Sequence, residues 1–277
     1  MVAQQQERAA ALVAFVAAGL MVCGTGCSGG GAAAQDARTG SGTVGTLREA
    51  VSVLERAGSA KASTSMEMAT GGTRVTIRGR GVYDFRKQTG RLKVVLPQDP
   101  AGAAEHRPIT ELLTPGALFM KNRGAGVPAD KWVRVATAGL TDGNLVTGGA
   151  TDPYAAAELL RGARSVTYVG RTEVAGIPVR HHRGTADLEA AARGASAAQR
   201  PALTAAAKGF ATTAVPFDAY VDDQGRLRKV RYRFSFVNGQ RKGTVAVAST
   251  LLLYDFGAPA VVRLPEPSDI YAGKIAE

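Results

Sequence analysis

The sequence contains few of the residues that build disulfide bridges, metal sites and aromatic clusters. Its 277 residues include 2 cysteines, 3 histidines and 1 tryptophan, and only 6% of them are aromatic. A zinc site of three histidines would have to bring His106 to His181 and His182, and adjacent residues on a strand point to opposite sides of the sheet. We therefore expect no metal site, and the folded chain must derive its stability from burial of apolar side chains.

The apolar run near the start of the chain is too short to cross a membrane. It covers residues 9–22, about 14 residues, whereas a spanning helix needs roughly 20. A short polar stretch precedes it and small residues follow it, which is the layout of a cleaved secretion leader. This pattern predicts an exported protein.

The leader ends in a cysteine that could carry lipid. Gly26-Cys27 resembles a bacterial lipobox, and the resemblance implies that the Cys27 thiol receives a diacylglyceryl group and that cleavage occurs before it. Cys27 is preferred to Cys23 because Cys23 follows the bulkier Val22, although Gly24 departs from the leucine usual at that place in the motif and Leu20 would suit Cys23. A plain secretory leader with an incidental cysteine is the alternative.

These features predict three parts of the chain: a lipoprotein-type signal peptide over residues 1–26, a flexible tether rich in Gly, Ala, Ser and Thr over 27–43, and a single folded domain over 44–277. Two or three acyl chains on one residue hold a protein firmly to a bilayer. We expect the mature protein at the outer face of the cytoplasmic membrane. With Cys27 acylated, no internal disulfide can form.

The folded part is predicted to alternate hairpins with helices. Apolar spacing of three and four residues predicts helical segments at residues 44–57, 152–160 and 187–208. Alternation with a period of two predicts strands at residues 65–68, 74–85, 91–96, 117–121, 131–135, 165–174, 178–186, 215–222, 226–238 and 242–255. Asp152 and Asp187 are the expected N-caps, and Gly194 and Pro201 should break the last helical segment in two. Hairpins cannot form a parallel sheet, so we predict an α+β fold with one curved antiparallel sheet.

This order of elements resembles the LolA-like carriers of lipids and lipoproteins, and most closely the LppX and LprG lipoproteins of actinobacterial envelopes. The resemblance rests on Gly26-Cys27, the helix at 44–57, Lys131-Trp132-Val133, and the runs at residues 168–184, 216–222 and 254–257. It implies a half-barrel sheet with helices on its concave apolar face. It also implies a cavity for acyl chains, and hence binding and transfer of a lipid or lipopeptide.

Side-chain volumes on the predicted inner face favour such a cavity, because Gly79 and Gly81 face helices that are rich in alanine. The alternative is that these glycines only let the sheet twist. The candidate wall residues are Val75, Ile77, Tyr83, Phe85, Leu92, Val94, Trp132, Tyr232, Phe234 and Phe236. The candidate lid residues on the first helix are Leu47, Val51 and Leu54.

The chain carries a formal charge of +11 and an isoelectric point near 10.0. Period-two alternation places a set of arginines on the outer face of the sheet, where they could attract anionic headgroups or wall polymers or simply be solvated. The predicted outward arginines are Arg74, Arg78, Arg80, Arg228, Arg231 and Arg233. Nucleic-acid binding is disfavoured, because alternation separates these cations from the aromatic residues that would stack on bases.

No catalytic motif was found. The predicted folded domain over 44–277 has no G-x-S-x-G and no S-x-x-K, and Asp222-Asp223 is explained by a hairpin turn. We therefore predict a membrane-tethered, non-enzymatic lipoprotein that needs no cofactor and binds a hydrophobic ligand. The alternative is a regulatory or structural lipoprotein that binds a protein or an anionic polymer through its basic outer face.

Overall fold

The computed structural model describes residues 31–70, 73–97, 107–124, 126–146, 151–238 and 243–273, of which 31–42, 70, 73, 236–238 and 243–244 are described by their backbone only. Within these residues the α-helices are Gly31–Ala57 (α1), Pro153–Glu158 (α2), Leu188–Gly194 (α3) and Arg200–Gly209 (α4). Three short 3₁₀ segments lie at Thr137–Gly139, Leu159–Gly162 and Pro267–Asp269.

The described strands form one antiparallel sheet. They are Ser59–Thr70 (β1), Thr73–Asp84 (β2), Thr89–Val95 (β3), Ile109–Thr114 (β4), Ala117–Lys121 (β5), Trp132–Ala136 (β6), Ala163–Val174 (β7), Ile177–Asp187 (β8), Ala214–Asp222 (β9), Leu227–Asn238 (β10) and Gly243–Tyr254 (β11). Their order is β6-β5-β4-β3-β2-β1-β11-β10-β9-β8-β7. The predicted fold class, an α+β fold with a single curved antiparallel sheet, is confirmed.

The two halves of the chain meet along one strand pair. Strands β1 to β6 form one meander and β7 to β11 another, and they join where Lys61 to Ala69 of β1 pair with Tyr254 to Ala246 of β11. Because β6 and β7 lie at the two edges, the sheet is open. A continuous surface of eleven strands results, with one face available to the helices.

Alternation along the strands decides which face is apolar. In β2, Ile77 and Tyr83 are buried, whereas Arg78 and Arg80 are exposed. The α-helices pack on the buried face, where α1 is held to the start of β7 by a hydrogen bond of 3.1 Å from the Arg48 guanidinium to the Ala163 carbonyl. We call this the inner face and the opposite one the outer face. The predicted placement of the helices on the apolar face is thus confirmed.

Capping residues fix the short helices where the sequence predicts them. Asp152 accepts hydrogen bonds from the backbone N–H groups of Tyr154 and Ala155, and Pro153 occupies the first turn of α2. Asp187 accepts from the N–H of Ala190 and caps α3 in the same way. The alanine-rich segment is indeed broken into two helices.

The start of α1 differs from the prediction. The helix begins at Gly31, inside the segment expected to be a tether, rather than at Val44. The apolar spacing marks only the part that packs on the sheet, while the preceding residues include three consecutive alanines, Ala32 to Ala34, which extend a helix at little cost once it is nucleated. Strand β4, between β3 and β5, was also missed by the sequence analysis.

Candidate functional site

The predicted wall and lid residues come together on the inner face. Most of them belong to one hydrophobic core, in which the lid residues of α1 lie at 0% exposure. The wall residues placed there are Val75, Ile77, Tyr83, Phe85, Leu92, Val94, Tyr232 and Phe234, and the lid residues are Leu47, Val51 and Leu54. The side chain of Phe236 lies outside the described residues. The first helix therefore packs on the inner face through these three residues, and its role as a lid stays a prediction.

Trp132 is the exception, because it does not contribute to the inner wall. It lies at the start of β6 and packs against a small second cluster that contains Leu112 and Phe119. Strands β4 and β5 carry apolar residues on both faces, so an apolar side chain in this region does not identify the inner face. We therefore remove Trp132 from the candidate cavity wall.

One end of the inner face is sealed. At the end where β2 runs into β3, the ring centroids of Tyr83 and Phe85 are 5.3 Å apart, and the ring of Tyr154 from α2 lies 6.5 Å from Tyr83 and 6.4 Å from Phe85. Every residue of α2 is buried, and the Tyr232 hydroxyl donates a hydrogen bond of 2.8 Å to the Ala156 carbonyl. We call this the closed end of the inner face. It is packed by aromatic rings.

Gly81 does not open space for a ligand. A Cβ added at Gly81 would lie 1.8 Å from the carbonyl oxygen of Arg91 on β3. At Gly90 an added Cβ would lie 2.4 Å from the ring of Tyr83. These two glycines admit a close neighbour, so the interpretation that Gly81 lets the sheet bend replaces the interpretation that it leaves a void.

The opposite end of the inner face is more open. Near the junction of β1 and β2, the apolar residues Met68, Val75 and Leu96 pack against the core but are only partly buried. Ile77 retains 7% exposure there, compared with 0% for Tyr83 on the same strand. We call this region the open end. The apolar inner face thus reaches the surface at this end.

Polar side chains without partners also lie in the interior. The side chain of Glu111, on β4 between Leu92 and Met120, is 0% exposed, and neither carboxyl oxygen has a hydrogen-bond partner among the described residues. The side-chain amide of Asn144 and the hydroxyl of Thr64 are also buried without hydrogen-bond partners among the described residues. Unsatisfied buried polar groups are rare, because each costs its desolvation free energy.

Burial changes the ionisation of the interior carboxyl groups. It raises the pKa of Glu111 to about 8, against a lowering effect of Arg123, and the charge of Asp152 adds to the increase. Burial likewise raises the pKa of Asp152 to about 6, although the N–H groups of Ala155 and Tyr154 stabilise its charged form. Near neutral pH Glu111 is therefore largely protonated and can donate a hydrogen bond.

The two adjacent histidines point to opposite sides of β8, as predicted. His181 lies 2.8 Å from a carboxylate oxygen of Asp218 and stacks on Tyr220, with ring centroids 4.4 Å apart. His182 is 4% exposed, and burial lowers its pKa to about 4, helped by the charges of Arg180 and His181. Among the described residues, no group of three potential metal ligands lies close enough to hold an ion.

The outer face carries many of the predicted arginines, with one correction. Arg74, Arg78 and Arg80 are exposed on β2. Arg228 is only 8% exposed, and its guanidinium donates to a carboxylate oxygen of Asp222 at 2.7 Å. The pairing of β9 and β10 shifts between Leu227 and Lys229, where Arg228 lies, so counting by twos from Arg231 and Arg233 does not determine its exposure.

Two of the outward arginines are partly neutralised. Arg233 donates to Asp218 at 3.0 Å, and Arg231 lies 3.8 Å from Glu67. By contrast, Arg80 on β2 stands directly opposite Lys93 on β3 in the strand pairing. Like charges opposite each other in a sheet repel, so this part of the outer face favours an anionic neighbour.

The predicted leader and the acylated Cys27 lie outside the described residues. Among the described residues, no helix has the length and apolar character needed to span a bilayer.

Comparison with known proteins gives matches of structure only. No family model and no curated protein matches the sequence. The chain is similar to the lipoprotein LppX of Mycobacterium tuberculosis, at 11% identity over 80% of this chain and 99% of that chain, with a TM-score of 0.44. It is also similar to LprF of Mycobacterium bovis, at 14% identity over 82% of this chain and 97% of that chain, with a TM-score of 0.41. LppX is one of the lipoproteins named in the resemblance drawn from the sequence.

Proposed function

We propose that this protein is an envelope lipoprotein that binds the acyl chain of a lipid or lipopeptide at the open end of the inner face. The observation that supports the proposal is the apolar rim formed by Met68, Val75 and Leu96, where the hydrophobic core continues to the surface. An acyl chain laid against this rim would remove apolar area from water, at about 0.8 kcal/mol for each buried methylene. Binding of this kind needs no reaction and no cofactor.

The closed end sets a limit on where such a ligand can lie. Tyr83, Phe85 and Tyr154 fill that end, so the acyl chain would lie at the open end, against Met68, Val75 and Leu96. A longer chain would require α1 to move away from the sheet, exposing the lid residues Leu47 and Val51. Displacing these residues costs apolar burial that the ligand itself would replace. We therefore assign α1 the role of a lid.

We further propose that the lipid anchor on Cys27 keeps the protein at the outer face of the cytoplasmic membrane. In that position the open end could take a ligand from the bilayer and release it again. Transfer would follow from reversible binding next to a membrane. The bilayer interior and the inner face of the sheet are both apolar, so moving an acyl chain from one to the other changes the free energy little.

Lipid extraction tests the proposal directly. The full chain carrying Cys27→Ala, which removes the covalent lipid, would be purified and extracted with organic solvent, and the extract quantified by mass spectrometry. We expect about one acyl-bearing molecule per protein. Val75→Gln, at the inner rim of β2, should lower this occupancy at least several-fold, whereas Val82→Gln, on the outer face of the same strand, should leave it unchanged. Extracts free of lipid would refute acyl-chain binding.

A second candidate function has one observation in its favour. The exposed cations on β2 and β3 include Arg80 and Lys93 directly opposite each other, and an anionic partner would relieve their repulsion. On this alternative the protein is a regulatory or structural lipoprotein and the inner face is only a packed core. The same extraction separates the two functions, because the alternative predicts no bound lipid.

A further inference from the structure

The last described part of the chain forms a strap across the outer face of the sheet. Residues 258–273, which we call the C-terminal strap, follow β11 and run beside the edge strand β6. Ile270 forms a parallel bridge with Trp132, and the Tyr271 N–H donates to the Trp132 carbonyl at 2.8 Å. The Lys131 ammonium group donates to the Ser268 carbonyl at 2.9 Å. The strap is thereby fixed to the edge of the sheet.

A basic groove lies between this strap and the sheet. Its volume is about 550 Å³, and its cations come from three separate elements: Arg91 from β3, Lys121 from β5 and Arg263 from the strap. The floor is apolar, with Leu112 and the partly exposed ring of Trp132. None of the described residues that line the groove is acidic, and none of the three cations forms an ion pair within the described part of the chain.

Aliphatic side chains stand exposed beside the groove. Val261 is 70% exposed and Leu264 is 51% exposed, and both flank Arg263 on the strap. An anionic wall polymer would account for the cations but not for two exposed aliphatic residues next to them, whereas a membrane surface accounts for both. Proteins that lie on a membrane combine three features. Their cations contact lipid headgroups, their apolar side chains enter the acyl boundary, and a tryptophan lies at the interface.

We propose that the basic groove and the C-terminal strap dock on the surface of an anionic phospholipid membrane. Lipid phosphates lie against Arg91, Lys121 and Arg263, while Val261 and Leu264 enter the acyl boundary. This docking site is distinct from the inner face and does not depend on ligand binding there. It fixes the orientation of the folded domain on a membrane to which the lipid anchor would only tether it.

Trp132 is the single tryptophan of the chain and lies on the floor of this groove, so its fluorescence reports the docking. The full-length protein would be reconstituted into two kinds of vesicle, one of phosphatidylcholine alone and one of phosphatidylcholine with about 30% phosphatidylglycerol. Both kinds would contain lipids brominated on the acyl chain, which quench tryptophan fluorescence. We expect quenching of Trp132 only in the anionic vesicles, and its loss at high salt. Because any anchor is present in both vesicle types, it cannot produce this difference.

Charge variants locate the site. Each basic residue at an anionic surface strengthens association by about fivefold, so Arg91→Gln, Lys121→Gln and Arg263→Gln together should weaken docking by roughly 100-fold. Arg263→Gln alone, on the exposed strap, should weaken it by about fivefold and serves if the triple variant does not fold. Arg193→Gln, Arg200→Gln and Lys208→Gln, on α3 and α4, remove the same charge from another surface and should leave the quenching unchanged.

Two results would overturn the proposal. Equal quenching in neutral and anionic vesicles would show that any anchor, rather than the groove, brings Trp132 to the bilayer. A spectral shift of Trp132 on adding a soluble polyanion such as heparin, without quenching in anionic vesicles, would assign the groove to an anionic polymer instead.

Discussion

The unpaired carboxyl group of Glu111 should make the stability of this protein fall as the pH rises. Its side chain is fully buried on the inner face, with neither oxygen hydrogen-bonded within the described part of the chain. Burial raises the pKa of Glu111 from its ordinary value of 4.5 to about 8. In the unfolded chain the carboxyl loses its proton above about pH 4.5, whereas in the folded chain it keeps the proton until about pH 8.

The sign and the size of the effect follow from this difference. Between these two pKa values the unfolded state binds fewer protons than the folded state, so the free energy of unfolding falls with rising pH by about 1.4 kcal/mol per unit. From pH 5 to pH 8 the loss amounts to roughly 4 kcal/mol, a large part of the stability of an ordinary domain. Glu111→Gln keeps the shape of the side chain but cannot ionise. The variant should therefore gain roughly 4 kcal/mol relative to the original protein over this range.

The difference in the free energy of unfolding between Glu111→Gln and the original protein is measured by urea denaturation at several pH values. Unfolding is monitored by the fluorescence of Trp132, with all samples in the same nonionic detergent. Asp152, whose pKa is also raised, to about 6, titrates in both proteins, and because its charge is the smallest of the causes acting on Glu111, most of its contribution cancels. Glu189→Gln, at an exposed carboxylate of α3, is the control and should leave the pH dependence unchanged. A difference between Glu111→Gln and the original protein that stays constant from pH 5 to pH 8 would refute the reasoning, because it would mean that Glu111 is solvated in the folded state.

Three further substitutions, one of them paired with a control substitution, test the packing and the anchor. Gly81→Ala should destabilise the protein by roughly 3 kcal/mol in chemical denaturation, because its Cβ would lie 1.8 Å from a backbone oxygen of β3, whereas Gly45→Ala, at an uncrowded position of α1, should stabilise it by about 0.5 to 1 kcal/mol. Tyr232→Phe should cost about 1 kcal/mol by removing the hydrogen bond to α2, and an unchanged urea midpoint would contradict that assignment. Cys27→Ala should release the protein from a membrane fraction washed at high salt, which also removes binding through the basic groove, and retention after that wash would contradict the anchor.

Most of the sheet could be predicted because its strands obey a period of two. In β2 and β10 one face is apolar and the other is charged, so alternation alone separates Ile77 and Tyr232 from Arg78 and Arg233. The turns at the ends of these strands are rich in glycine and asparagine, which places the hairpins. These local signals are sufficient for an antiparallel sheet, in which each strand pairs with its neighbour in sequence. The pairing of β1 with β11 is not local, and no short pattern predicts it.

The errors in the predicted site arise where alternation stops applying. Strands β4 and β5 are apolar on both faces, because the C-terminal strap covers their outer face with Val262 and Ile270. Trp132 was therefore assigned to the wrong cluster. Arg228 lies at a pairing shift and turns towards Asp222. The spacing of Ile109, Glu111 and Leu113 by two residues could have revealed the buried Glu111, had β4 been recognised as a strand.

The predicted cavity is not found at the closed end, and the physical reason also favours the open end as the place where a ligand would bind. Small residues facing each other need not leave a void, because the elements that carry them can approach more closely. Helix α2 does so: its buried Ala155, Ala156 and Ala157 let its backbone come within hydrogen-bonding distance of Tyr232. At the open end the inner side chains are larger, and Met68 and Val75 are left partly exposed. A ligand bound there, as we propose, would replace water rather than a packed side chain, so its binding would not require the aromatic core to unfold.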